Sequence, residues 1–272
     1  MFRPTPFIFA IARLVASSIA AIFTVAVFAA DAPFELEDGD RVVFLGDTFI
    51  EREQYHGWVE LMLTARFPER SITFRNLGWS GDTPAGDSRF GLSLLQAGKE
   101  PVDEGWNQLV KQIADAKPTV VFASYGMASS FDGEAGLSRF KADYLRLLAM
   151  IEENAPGARI ILLAPLPHEQ LGAPWPDAAL HNEQLARYAR TIGEIAAQRK
   201  ARFVPLFDLL RADARRSNAG TTRDEAAGAA TLTDNGIHPT GRGYRVIAEA
   251  LEQQLFGQER AGAWRTSPQS EG

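Results

Sequence analysis

Residues 41–50 read RVVFLGDTFI: four apolar residues, a glycine at Gly46, then the carboxylate of Asp47 and the hydroxyl of Thr48. A short continuous run of β-branched and aromatic residues that stops at a glycine is the signature of a strand buried on both faces. Working outward, the same pattern recurs at 71–78 (SITFRNLG), 118–126 (PTVVFASYG), 158–165 (ARIILLAP) and 201–208 (ARFVPLFD). Amphipathic stretches long enough for crossover helices lie at 56–67, 102–117, 135–154 and 178–200, and 243–256 closes the series. Alternation of this kind predicts a doubly wound α/β domain over residues 31–256, with a five-stranded, mainly parallel sheet.

Composition agrees with a packed domain and narrows its chemistry. The 272 residues are 46% apolar, enough for a substantial core, and 28 basic against 34 acidic residues give a net charge of -6. That balance argues against nucleic acid as a partner. With no cysteine and only four histidines, disulfide frameworks, thiol nucleophiles and Cys-ligated metal sites are excluded.

Both ends of the chain differ from the middle. Arg3 and Arg13 precede an almost uncharged run, 14–30, that ends in small residues, which reads as a signal peptide over residues 1–30. Export to the periplasm or the medium is the expectation, with no stable membrane span once the signal is removed. Residues 212–231 (ADARRSNAGTTRDEAAGAAT) read as a surface loop, and the tail 257–272 reads as disordered.

In open α/β sheets the reactive crevice lies beyond the carboxyl ends of the strands. The residues there are Gly46-Asp47-Thr48, Asn76-Leu77-Gly78-Trp79-Ser80-Gly81-Asp82-Thr83, Tyr125-Gly126-Met127-Ala128-Ser129-Ser130 and, before the last helix, Thr233-Asp234-Asn235-Gly236-Ile237-His238-Pro239. A hydroxyl, glycine turns with free amides and a late histidine are the parts of acyl transfer: nucleophile, oxyanion hole and general base. Taken alone, Gly46-Asp47-Thr48 reads first as an ordinary strand-to-helix turn capped by Asp47, and only the other blocks in order make it a site.

Order and spacing of these blocks resemble the SGNH/GDSL hydrolases, a family of esterases, lipases and carbohydrate deacetylases. The run NLGWSGDT, the tract SYGMASSFDGEAGLSRF and the phrase LTDNGIHPTGRGY are similar to a planctomycete-like exported branch of it. The resemblance implies a three-layer α/β/α flavodoxin-like fold and hydrolysis of an ester, such as an acylated carbohydrate, without metal or organic cofactor. It makes Thr48 the nucleophile, Gly81 an oxyanion donor and His238 the base.

Three positions depart from the family pattern. Thr48 stands where the family carries serine, and its extra methyl group restricts χ1. Ala128 stands where an asparagine amide completes the oxyanion hole, leaving its backbone amide and neighbouring Ser129 as substitutes; losing such a donor costs about 10²–10³ in turnover. Asn235 stands where an aspartate orients the histidine, with Asp234 one place earlier as a substitute; the comparable change in a serine protease costs about 10⁴. The same cleft without turnover would make a binding or accessory module of the cell envelope, with an envelope protein as partner.

Other candidates rank lower. Gly86-Asp87-Ser88 repeats the G-D-S signature but follows no strand. His56, His168 and His181 have no ligand spacing around them, Glu51-Arg52-Glu53 reads as a solvated face, and Trp79 and Trp175 are packing residues or sugar platforms. The spatial expectation is that the Thr48 hydroxyl and the His238 ring meet, directly or through one water.

Overall fold

A computed structural model of the chain describes residues 33–89, 103–219, 231–257 and 264. Five strands form its sheet: β1 (Arg41–Gly46), β2 (Thr73–Gly78), β3 (Val120–Ser124), β4 (Arg159–Leu163) and β5 (Arg202–Val204). Their order is β2-β1-β3-β4-β5, and every pairing among them is parallel. The register sets Gly46 opposite both Gly78 and Ser124, so three strands end at one level.

The helices are α1 (Thr48–Glu53), α2 (Trp58–Arg66), α3 (Glu104–Ala116), α4 (Leu137–Asn154), α5 (Ala179–Arg199), α6 (Leu206–Ala219) and α7 (Gly241–Phe256). Side chains alternate across a strand, and here both faces are covered. Val42, Phe44, Phe122 and Ile161 pack with Met62 and Leu63 of α2 and Ile247 and Leu251 of α7. On the other face, Val43, Leu45, Val121 and Leu162 pack with Leu109 of α3, Leu147 of α4 and Ile192 of α5. Two apolar layers explain why the strand runs are continuous in sequence. The result is the three-layer α/β/α sandwich expected from the motifs.

Three details correct the sequence expectations. The apolar run 201–208 is not all strand: β5 ends at Val204, and the Pro205 carbonyl accepts from Asp208 and Leu209 amides as α6 begins. Residues 212–219, expected as loop, continue α6, because alanine and arginine are good helix formers and extend a helix already nucleated by its buried first turn. In the tail expected to be disordered, Trp264 is 3% exposed and its ring centroid lies 6.0 Å from that of Trp58. The expected signal, residues 1–30, lies outside the described residues, as does the remainder of the loop, 220–230. No helix among the described residues is long and apolar enough to cross a membrane.

Candidate active site

Asp47 sits between β1 and α1 and caps the helix, accepting from the Phe49 amide at 3.2 Å. The short helix therefore starts at Thr48, as a strand-to-helix turn capped by Asp47 requires, and fixes its side chain at the end of the sheet. Asn76 ties β2 to α1: its Nδ2 donates to the Ile50 carbonyl at 2.6 Å, and its Oδ1 accepts from the Gly78 amide at 2.8 Å. Close approach makes glycine necessary at Gly78, where a Cβ would fall 2.2 Å from the Glu51 nitrogen. Beyond it the chain turns at Gly81 with φ +67°, a conformation that favours glycine, and the Gly81 amide donates to Thr48 Oγ1 at 2.9 Å.

His238 arrives on the loop that precedes α7. The Asp234 amide donates to the His238 carbonyl at 3.0 Å, closing this loop on itself. Asn235 Oδ1 accepts from the Ile237 amide at 3.2 Å and the His238 amide at 3.0 Å, and Asn235 Nδ2 lies 3.0 Å from His238 Nδ1. Asp234 is turned elsewhere, to Arg52 Nη2 at 2.9 Å. Of the two candidates for holding the ring, geometry selects Asn235.

Thr48 and His238 line one cavity of about 260 Å³, together with Gly81, Ala128, Phe131 and Leu166. Within it the two are not directly hydrogen-bonded: Oγ1 takes the Gly81 amide, and Nδ1 faces Asn235. Ser129 is buried in the 3₁₀ turn Ser129–Asp132 and is not among the cavity-lining residues. Ser88 of the second G-D-S donates to the Gly81 carbonyl at 3.0 Å and does not line the cavity either.

Electrostatics follow from burial. Desolvation pushes the Asp47 carboxyl up to about 7, against the pull of the Phe49, Met127 and Ala128 amides, and nearby Asp82 raises it further. The Ala128 amide thus supports the Asp47 carboxylate. Burial also lowers the His238 pKa, as does Arg52, while Asp234 and Glu51 oppose them; the ring is neutral near pH 7.

Several supporting residues were not legible in the sequence. The run Glu51-Arg52-Glu53, expected to be a solvated face, is engaged throughout: Glu51 accepts from the Ser80 hydroxyl, Arg52 pairs with Asp234, and Glu53 accepts from the Val59 amide at 2.6 Å. Glu169 accepts from the Leu232 and Thr233 amides at 3.0 and 2.7 Å, and its own amide donates to the Gly236 carbonyl at 2.8 Å, so it anchors the His238 loop. Asp82 and Arg89 form an ion pair at 2.7 Å with both side chains 0% exposed, beneath the Gly81 turn. His168 and His181, which have no ligand spacing around them in the sequence, share a 3.0 Å contact between their Nδ1 atoms, and His181 Nε2 lies 2.8 Å from Ser130 Oγ. The spacing of Asp82 and Arg89 within one glycine-rich loop was the only sequence signal for any of these.

The three-layer α/β fold thus brings a hydroxyl, a glycine turn and an imidazole to one cavity at the ends of the strands. The family is specific: residues 44–246 match the GDSL-like Lipase/Acylhydrolase family, and the chain belongs to it, so that ester hydrolysis is its class of reaction.

Solved structures repeat the fold at low identity. A gut microbial diltiazem-metabolizing enzyme is 21% identical with a TM-score of 0.60 over 81% of this chain, which spans 48% of that protein's length. An acetylxylan esterase from Geobacillus stearothermophilus is 19% identical with a TM-score of 0.55, covering 85% of this chain and 98% of its own. A second acetyl xylan esterase is 13% identical at a TM-score of 0.56, over 79% of this chain and 99% of its own. No curated protein matches the chain.

Proposed function

We propose that this protein is an exported esterase of low turnover, of the planctomycete-like branch, that removes a short acyl group from a carbohydrate by way of Thr48. Thr48 Oγ1 attacks the acyl carbon and its proton passes to His238 Nε2 in the minor tautomer whose ring proton sits on Nδ1. The tetrahedral intermediate is held by backbone amides of Thr48 and Gly81, with Ala128 contributing where its amide is released from Asp47. Collapse returns the proton to the departing sugar oxygen and leaves an acyl-Thr48 ester. Water, deprotonated by the same ring, then releases the acid and restores the hydroxyl.

The observation that carries this reading is the shared cavity, which brings position 48 and position 238 together from opposite ends of the chain. Its volume of about 260 Å³ and its Phe49, Met127, Phe131 and Leu166 walls favour a short acyl group over a long chain. Carbohydrate is favoured as the alcohol by the two acetylxylan esterases of like fold, and by Trp79, 41% exposed beside the Gly81 turn. Turnover of p-nitrophenyl acetate by the native protein, Thr48→Ser and Thr48→Ala tests the reading. Serine is expected to raise the rate and alanine to abolish it; equal rates for all three would leave Thr48 without a role.

A further inference from the structure

We infer that neutral His238 carries its proton on Nε2, so that the resting cavity offers a hydrogen-bond donor where a base is needed, and that this donor holds the carboxylate of the released acid. The inference rests on reading the cavity as the acyl site. It begins with the Asn235 amide, whose orientation is fixed by its neighbours. Oδ1 accepts two backbone N–H groups, from Ile237 at 3.2 Å and from His238 at 3.0 Å. Exchanging oxygen and nitrogen would set an NH₂ group against both donors. Nδ2 must therefore be the atom that meets His238 Nδ1 at 3.0 Å.

Nδ2 has only hydrogens to offer, so Nδ1 must be the acceptor. A neutral imidazole has one proton, and with Nδ1 accepting, that proton sits on Nε2. A general base would need the opposite tautomer, with Nδ1–H pointing at the Asn235 NH₂, which has no lone pair to receive it. Reaching that form requires breaking the Nδ2 bond and opposing two donors, because the loop does not let the amide turn.

The nucleophile is arranged to match. Thr48 Oγ1 accepts from the Gly81 amide at 2.9 Å, which leaves its own proton to donate. Thr48 and His238 line the same cavity, so two O–H and N–H donors share a space whose other walls are largely apolar. A ligand with two acceptor oxygens on one carbon satisfies both, and the carboxylate of the acid product has that geometry. Asn235 is a positioning residue: it acts on the reaction only through the protonation site of His238.

Nitrogen-15 NMR of the ring in the full-length protein reads the protonation site directly. The native protein near neutral pH is expected to show a pyrrole-type Nε2 and a pyridine-type Nδ1. Asn235→Asp, in which one carboxylate oxygen keeps both backbone amides while the other accepts from Nδ1–H, is expected to reverse the two. Sodium acetate added to the native protein is expected to shift the Nε2 resonance and to bind at least about tenfold more tightly than to Asn235→Asp, the equivalent of one lost charge-assisted hydrogen bond. A native ring protonated on Nδ1 overturns the inference. So does a native Nε2 resonance that acetate leaves unmoved, or equal acetate affinity in the two proteins. These outcomes separate from the esterase reading: loss of turnover in Thr48→Ala alongside an Nδ1–H ring removes the inference and keeps the esterase, and full activity in Thr48→Ala alongside an Nε2–H ring does the reverse.

Discussion

Asn235 and His238 face each other nitrogen to nitrogen, Nδ2 to Nδ1 at 3.0 Å, on a loop whose other bonds prevent the amide from turning. The ring is thus held in place but not activated. An aspartate at this position would keep the placement and add both the tautomer and the charge that stabilises the imidazolium.

The first prediction follows from that pair. Asn235→Asp is expected to raise kcat/KM for p-nitrophenyl acetate by about 10²–10⁴, within the range seen when a triad carboxylate is exchanged for its amide elsewhere. Steady-state kinetics of the purified variant provide the check; an unchanged or lower value would show that proton transfer through His238 does not limit the rate.

Ala128 gives a second prediction. Its methyl group offers no donor to the cavity, and its amide already supports Asp47. Ala128→Asn is expected to restore a side-chain oxyanion donor and to raise kcat by about 10-fold to 10²-fold, with the gain in kcat rather than KM.

Glu53 predicts a pH effect on stability. It is 4% exposed, its Oε2 is buried without a hydrogen-bond partner, and burial pushes its carboxyl up to about 8. The folded state therefore holds a proton that the unfolded chain releases above its ordinary value near 4.5. This contribution is fully present below that value and is lost as pH rises through about 8. The Tm of the native protein is expected to fall between about pH 5 and pH 9, and Glu53→Gln to flatten that slope by roughly 1–3 kcal/mol of stability.

The paired histidines predict the opposite effect in acid. Burial, with His168 as a lesser cause, lowers the His181 pKa to about 4 from 6.5, so the unfolded chain takes up a proton first as pH falls. Stability is complete above about 6.5 and declines toward 4. His181→Gln is expected to reduce the acid slope of Tm against pH, measured by thermal denaturation in matched buffers.

How much of this the sequence carried depended on how local each signal was. The five strands were legible because a strand buried on both faces leaves an unbroken apolar run, as in Val42, Val43, Phe44 and Leu45. The positions of Thr48, Gly81 and His238 were legible because strand ends, glycine turns and a late D-N-G-I-H-P loop mark them. Of helix α1 only the start capped by Asp47 was legible and not its extent, because six residues are under two turns and show no period. The engagement of Arg52 with Asp234 joins positions 182 residues apart, and no pattern along the chain announces such a pair. Glu169 and the two paired histidines come from the loop after β4 and the start of α5, where only folding brings them to their partners.

Labelling with a fluorophosphonate probe, followed by mass-spectrometric location of the modified residue, bears most directly on Thr48 as the attacking group. The expected result is a single adduct on Thr48, absent in Thr48→Ala and formed faster in Thr48→Ser. An adduct on Ser88 or Ser130, or unchanged ester turnover in Thr48→Ala, would place the chemistry at another hydroxyl.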